Sequence, residues 1–119
     1  MPRVKRGVPA RARHKSVLEL TKGQRASKHK LYRRAHEAMM KSLQYAYFHR
    51  RERKGDMRRL WIARVSAASR AEGLKYSELM AGLKKAGVTL NRKSLADMAV
   101  RDTAAFNNLV TLAKGSIQS

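Results

Sequence analysis

Between about Gln24 and Lys54 the chain has no Gly or Pro, and its apolar residues recur at a helical spacing. At 100° per residue, Leu31, Tyr32, Ala35, Ala38, Met39, Ser42, Leu43, Tyr45 and Ala46 fall on one arc. Arg33, Arg34, Glu37, Lys41 and Gln44 fall opposite, with Glu37 and Lys41 at the favourable i,i+4 spacing. The pattern predicts one helix of about 30 residues, roughly 45 Å long. Its ends abandon the arc: Lys28 and Lys30 at one end, and Arg50-Arg51-Glu52-Arg53-Lys54 at the other, are basic nearly all round. The middle can pack on something apolar while the ends face anions.

Downstream, capping residues set the segmentation. Gly55-Asp56 predicts a break, with Asp56 capping a helix from Met57 to about Glu72 that Gly73 ends. Ser77 is expected to cap a short helix closed by Gly87. Asn91 is expected to cap another over Arg92–Arg101, with Asp97 and Arg101 paired. Asp102 is expected to cap a last helix ended by Gly115. The expected core is Trp61, Ile62, Val65, Leu74, Leu79, Met80, Leu83, Val88, Leu90, Leu95, Met98, Phe106, Leu109, Val110 and Leu112. Trp61, Val65 and Ala68 share one helix face, and Arg59, Ser66 and Arg70 the other.

Upstream, Met1 to Lys15 reads as an extended arm punctuated by Pro2, Gly7 and Pro9, with almost nothing to bury and hence disordered when free. Ser16 is expected to cap a short helix to Leu20, ended by Gly23. No strand-like alternation and no internal repeat is present. The predicted class is all-α: an extended basic arm with a short helix (1–23), a long basic helix (24–55) and a small C-terminal helical domain (56–119).

Charge sharpens this division. Of 28 lysines and arginines in 119 residues, nineteen precede Leu60 against four acids, a net +15. The remainder has nine bases and four acids, or +5, for a total of +20. Such a charge repels itself and calls for a polyanion. Nucleic acid is the leading reading, and an anionic membrane surface competes. About 60 residues folding alone bury only about 60% of their unfolded surface, and the absence of cysteine removes disulfides and thiolate ligands. No run of 18 apolar residues occurs. The start lacks a secretory apolar stretch. It resembles a transit peptide in composition, but the basic character continues far past any such boundary.

The chain offers little for catalysis. Asp56 and Asp102 occupy cap positions and Glu37 and Asp97 helix pairs, no glycine-rich loop follows a strand, and His14, His29, His36 and His49 lack metal-site spacing. No enzyme, cofactor, metal or small-molecule substrate is expected. RNA chemistry is better served. Arginine binds phosphate through a planar fork and stacks on unpaired bases. The candidate contacts are Arg3, Lys5, Arg6, Arg11, Arg13, His14 and Lys15 in the arm, then Lys22, Arg25, Lys28, Lys30, Arg33 and Arg34. Arg50, Arg51, Arg53, Lys54, Arg58, Arg59, Arg64 and Arg70 follow. Lys84, Lys85, Asn91, Arg92 and Lys93 flank one connection, as a surface patch or as solvated lysines at a helix end. Tyr32, Tyr45, Tyr47 and Phe48 are interleaved with bases. Tyr45 fits packing, Tyr47 and Phe48 fit packing or stacking, and Trp61 fits the core.

These residues also carry a family likeness. The stretches Arg3-Val-Lys-Arg-Gly7, Arg11-Ala-Arg-His-Lys15, Leu31-Tyr-Arg33, Leu43-Gln-Tyr-Ala-Tyr47, Arg58-Arg-Leu-Trp-Ile-Ala-Arg64, Gly82-Leu-Lys-Lys-Ala86 and Leu90-Asn-Arg-Lys-Ser-Leu-Ala-Asp97 resemble the large-subunit ribosomal protein family numbered twenty, the L-twenty family of bacteria and organelles. The most specific are Arg59-Leu-Trp-Ile and Leu-Asn-Arg-Lys. The resemblance implies a basic helical extension threaded through large-subunit ribosomal RNA and a small helical domain docked on that RNA. It implies neighbouring ribosomal proteins as partners, early subunit assembly as the role and, in some members, repression of their own messenger RNA. It implies no catalysis, no membrane, no homo-oligomer, and a bacterial cytoplasmic ribosome ahead of an organellar one. The chain departs from the family at Phe48-His49 (usually Arg-Asp), Gly55 (often a base), Met57 (usually Phe), Ser66 (usually Asn) and Ala26 (usually Gly). The residues after Lys114 fall outside the likeness. A DNA-compacting basic protein and a membrane-active helix are the rival readings.

Overall fold

The computed structural model describes Arg3 and residues 5–118, Gln118 by its backbone only. The expected punctuation at Pro2 lies outside the described residues. Among these residues are five α-helices, one 3-10 turn and no strand, so the all-α class holds.

Helix α1 spans Gly7–Leu20, where the sequence predicts an extended arm to Lys15 and a helix start at Ser16. Pro9 is compatible with helix because it sits in the first turn, where backbone N–H groups have no intrahelical acceptor. The residues after it, rich in Arg, Ala, Lys and Leu, are good helix formers. Thr21 terminates α1 and is fully buried, its hydroxyl donating to the Val17 and Leu18 carbonyls at 3.3 and 3.2 Å. A 3-10 turn at Ala26–His29 follows. It is entered through Ala26 at φ +59°, the single non-glycine positive φ among the described residues. The expected helix start at Gln24 is therefore displaced.

Helix α2 runs Tyr32–Ala71 without interruption. The predicted break at Gly55-Asp56 does not occur. One glycine costs about 1 kcal/mol in a helix, and the flanking Arg, Glu, Lys and Met residues favour helix strongly enough to carry it. Asp56 is not a cap; it pairs with Arg59 at 3.4 Å. Two compact units partition the chain, residues 1–51 and 52–119, and α2 belongs to both.

In the first unit the His14 ring stacks on Tyr32 with centroids 3.8 Å apart, and Ala35 is fully buried. Elsewhere the apolar arc of α2 is covered unevenly: Ala38, Met39 and Ala46 are partly buried, whereas Leu31, Leu43 and Tyr45 are exposed.

The second unit holds the core. Helices α3 (Tyr76–Lys85), α4 (Arg92–Arg101) and α5 (Thr103–Gln118) follow α2. Val65, Leu79, Leu83, Leu95, Phe106, Val110 and Ala113 are buried together, with Trp61, Met80, Val88, Met98 and Leu109 packed at the margin. Leu90 and Leu112, expected inside, are 41% and 47% exposed.

Gly73 and Gly87, at φ +78° and +73°, end α2 and α3. Each ending is doubly bonded: Leu74 N donates to Ser69 O and Gly73 N to Arg70 O, and likewise Val88 N to Leu83 O and Gly87 N to Lys84 O. This motif satisfies the last carbonyls and drives the next apolar residue, Leu74 or Val88, inward.

Asn91 Oδ1 caps α4 by accepting from Ser94 N at 2.8 Å, and Asp102 Oδ1 caps α5 by accepting from Ala105 N at 3.0 Å. Ser77 is not a cap. Helix α3 begins one residue earlier, and the Glu78 carboxylate accepts from Lys75 N at 2.9 Å. Gly115 does not end α5, which continues to Gln118.

Candidate nucleic-acid interface

Three of the 28 lysines and arginines are in ion pairs among the described residues: Arg34 with Glu37, Arg59 with Asp56, and Arg101 with Asp97. Their side chains are all more than half exposed, so these pairs contribute little. The expected Glu37–Lys41 pair is replaced by Arg34–Glu37, and the Lys41 ammonium lies 4.8 Å over the Tyr45 ring instead. The other bases make no ion pair among the described residues, and most of them are exposed to an external anion.

In the first unit, Arg3, Lys5 and Arg6 precede α1, while Arg11, Arg13, His14 and Lys15 project from it, all exposed. Lys22, Arg25, Lys28 and Lys30 line the connection to α2. Arg33 and Arg34 stand in its first turn, and Arg50 and Arg51 near the end of the unit. His14 is not simply a free contact, because its ring is held on Tyr32. Arg51 places its guanidinium 3.8 Å over the Tyr47 ring, a geometry that fixes the planar fork and leaves its edge donors available. Tyr47 meets Phe48 edge-on at 5.5 Å, and Tyr45 stacks on His49 at 5.6 Å. Tyr45, expected to pack, is 51% exposed.

In the second unit, Arg53, Lys54, Arg58, Arg59, Arg64 and Arg70 lie exposed on α2. Every residue from Glu52 to Leu60 is exposed, around the full circumference of the helix, as are residues 47–51 at the end of the first unit. A stretch of helix exposed on all sides has no core of its own to rest on. Lys84 and Lys85 end α3. Arg92 is partly buried, its Nε donating to the Tyr76 hydroxyl at 3.0 Å, so it is anchored rather than free. Asn91 uses its carbonyl oxygen as the α4 cap, which leaves its amide donors for a ligand.

Sequence reasoning missed that Trp61 lines a surface cleft, with Arg64, Asn91, Lys93, Ser94 and Asp97 around it. A signal was present, since Trp61 and Arg64 are three residues apart on one helix. Nothing in the sequence placed α4 beside them. Among the described residues no group of three metal-ligating side chains occurs, and no helix is long and apolar enough to cross a membrane.

The sequence pattern of the family described as Ribosomal protein L20 matches residues 3–109. Among curated relatives, the large ribosomal subunit protein bL20 of Moorella thermoacetica is 61% identical over 114 residues, covering 96% of this chain and 94% of that protein. The bL20 of Dehalococcoides mccartyi strain 195 is 60% identical over 106 residues, 89% of each chain. That of Brevibacillus brevis is 55% identical over 119 residues, the full length of both.

Proposed function

Because the chain belongs to the ribosomal protein L20 family, we propose that it is a structural constituent of the large subunit of a bacterial ribosome. It binds large-subunit ribosomal RNA directly and supports early subunit assembly. The family is structural and non-enzymatic. The observation that carries the RNA-binding step is the excess of charge: three ion pairs among the described residues for 28 bases, with α2 exposed all round from Tyr47 to Leu60. Packed RNA helices repel through their phosphates. A basic helix laid among them replaces condensed counterions with fixed charge. In this reading residues 1–23 and 24–55 neutralise RNA helices brought together in the subunit, and residues 56–119 dock as a shaped anchor.

The test is the salt dependence of binding to a large-subunit ribosomal RNA fragment. With ten phosphates engaged, log K falls against log salt with a slope of roughly −7 to −9. A slope shallower than about −3 opposes the electrostatic account. Competition with duplex DNA of equal length separates this reading from a general DNA-compacting protein, which tolerates either polymer.

A further inference from the structure

The cleft at Trp61 combines chemistry that a phosphate contact alone does not need. It measures about 510 Å³ and lies between Trp61 and Arg64 of α2 and the start of α4. Trp61 is partly buried, packs against the core and also lines the cleft. Arg64 and Lys93 are exposed and make no ion pair among the described residues.

The polar rim is partly committed and partly open. Asn91 Oδ1 accepts from Ser94 N and from the Ser94 hydroxyl, at 2.8 and 3.0 Å, which fixes the amide with its NH2 unclaimed. Asp97 Oδ1 accepts from Arg101 Nε at 3.0 Å, and a carboxylate has further acceptor capacity. The cleft thus brings together part of an indole ring, two cations, an amide donor and a carboxylate acceptor.

We infer that this cleft receives a single unstacked nucleotide of the bound RNA. The base stacks on Trp61, its edge meets the Asn91 amide and the Asp97 carboxylate, and the adjoining phosphates meet Arg64 and Lys93. The inference rests on the RNA-binding reading above and names the substrate chemistry of one part of it. The volume falls in the range of small-ligand sites, about 300–1,000 Å³, which suits one nucleotide. A base inside a duplex is stacked on both faces and cannot present one to tryptophan, so the occupant is a bulged or looped nucleotide. Stacking on an aromatic face tolerates any base, so base identity is expected to matter less than being unpaired.

Trp61 is the only tryptophan of the chain, so its fluorescence reports on this cleft without labelling. The full-length protein is titrated with two RNA hairpins of the same stem, one fully paired and one carrying a single bulged adenosine. The expected result is quenching of Trp61 emission by the bulged hairpin only, together with a 5- to 150-fold tighter affinity for it at equal salt, the range roughly supplied by one base–aromatic stack.

Trp61→Leu is expected to bring the affinity ratio to about one, with helical circular dichroism checking the fold. Because that variant touches the core margin, Lys93→Gln provides a second arm at an exposed position, and it is expected to lower the ratio several-fold. Equal affinities with no quenching overturn the cleft assignment while leaving RNA binding intact. Failure to bind either hairpin overturns RNA binding itself, and the cleft assignment with it.

Discussion

Gly82 on α3 lies so close to Ala113 on α5 that a Cβ on Gly82 would sit 2.5 Å from the Ala113 carbonyl oxygen and 2.9 Å from its Cα. The obstruction is backbone, which cannot swing aside as a side-chain end can. Ala is ordinarily the better helix residue by about 1 kcal/mol, but here the clash reverses the sign. Gly82→Ala is expected to destabilise the second unit by about 1–3 kcal/mol, as overpacked cores do. A chemical denaturation curve with unchanged slope and a lower midpoint is the expected readout. An unchanged or higher midpoint would contradict the close approach of these helices.

Gly55 is the opposite case. A Cβ there meets nothing within 4 Å, and the residue sits inside α2. Gly55→Ala is expected to stabilise that helix by about 0.8–1 kcal/mol. The gain should register as greater helical ellipticity and slower hydrogen exchange around residue 55, with no change in the core.

Ala26 occupies the left-handed region at φ +59°. An L-residue with a Cβ is strained there by about 1–2 kcal/mol, and glycine is not. Ala26→Gly is therefore expected to stabilise the turn between α1 and α2, by somewhat less than that range because glycine also gains freedom when unfolded. A lowered melting temperature would contradict the turn geometry.

The features legible in the sequence were those set by local chemistry. Asn91 and Asp102 cap α4 and α5 as their side chains predict. Gly73 and Gly87 end helices because each adopts a positive φ. Features decided by competition between neighbours are not legible in this way. Pro9 reads as punctuation of an extended arm but falls in a first turn, where it removes no hydrogen bond. Gly55-Asp56 looked like a stop but is outweighed by its neighbours. Leu90 looked like core because of its type, yet it follows the α3 ending and stays at the surface. The basic contacts were legible as residues, whereas the cleft at Trp61 required knowing that α4 begins beside α2.

Removing either verified cap tests how far the small core depends on local bonds. Asn91→Ala and Asp102→Ala are each expected to cost about 0.5–2 kcal/mol. The Asn91 change should cost more, because it also releases the Ser94 hydroxyl. Thermal melts of the single and double variants measure this, and near-additive losses are expected for two caps on different helices.

The buried and exposed apolar residues of the second unit should respond very differently to truncation. Phe106 is 1% exposed, and Phe106→Ala is expected to cost about 3–5 kcal/mol, enough to unfold a unit this small. Leu112→Ser, at an exposed position on the same helix, is expected to change stability by about 0.5 kcal/mol or less. Equal losses at the two positions would contradict the placement of the core.

Helix α2 carries an unbroken hydrogen-bond ladder through Arg51 and Glu52, with no turn at that point. Severing it between Arg51 and Glu52 strips partners from about four carbonyls on one side and four N–H groups on the other, and no capping side chain stands ready at either new end. Insertions should therefore be tolerated better in the turn around residues 22–30, where the chain already pauses, than inside α2.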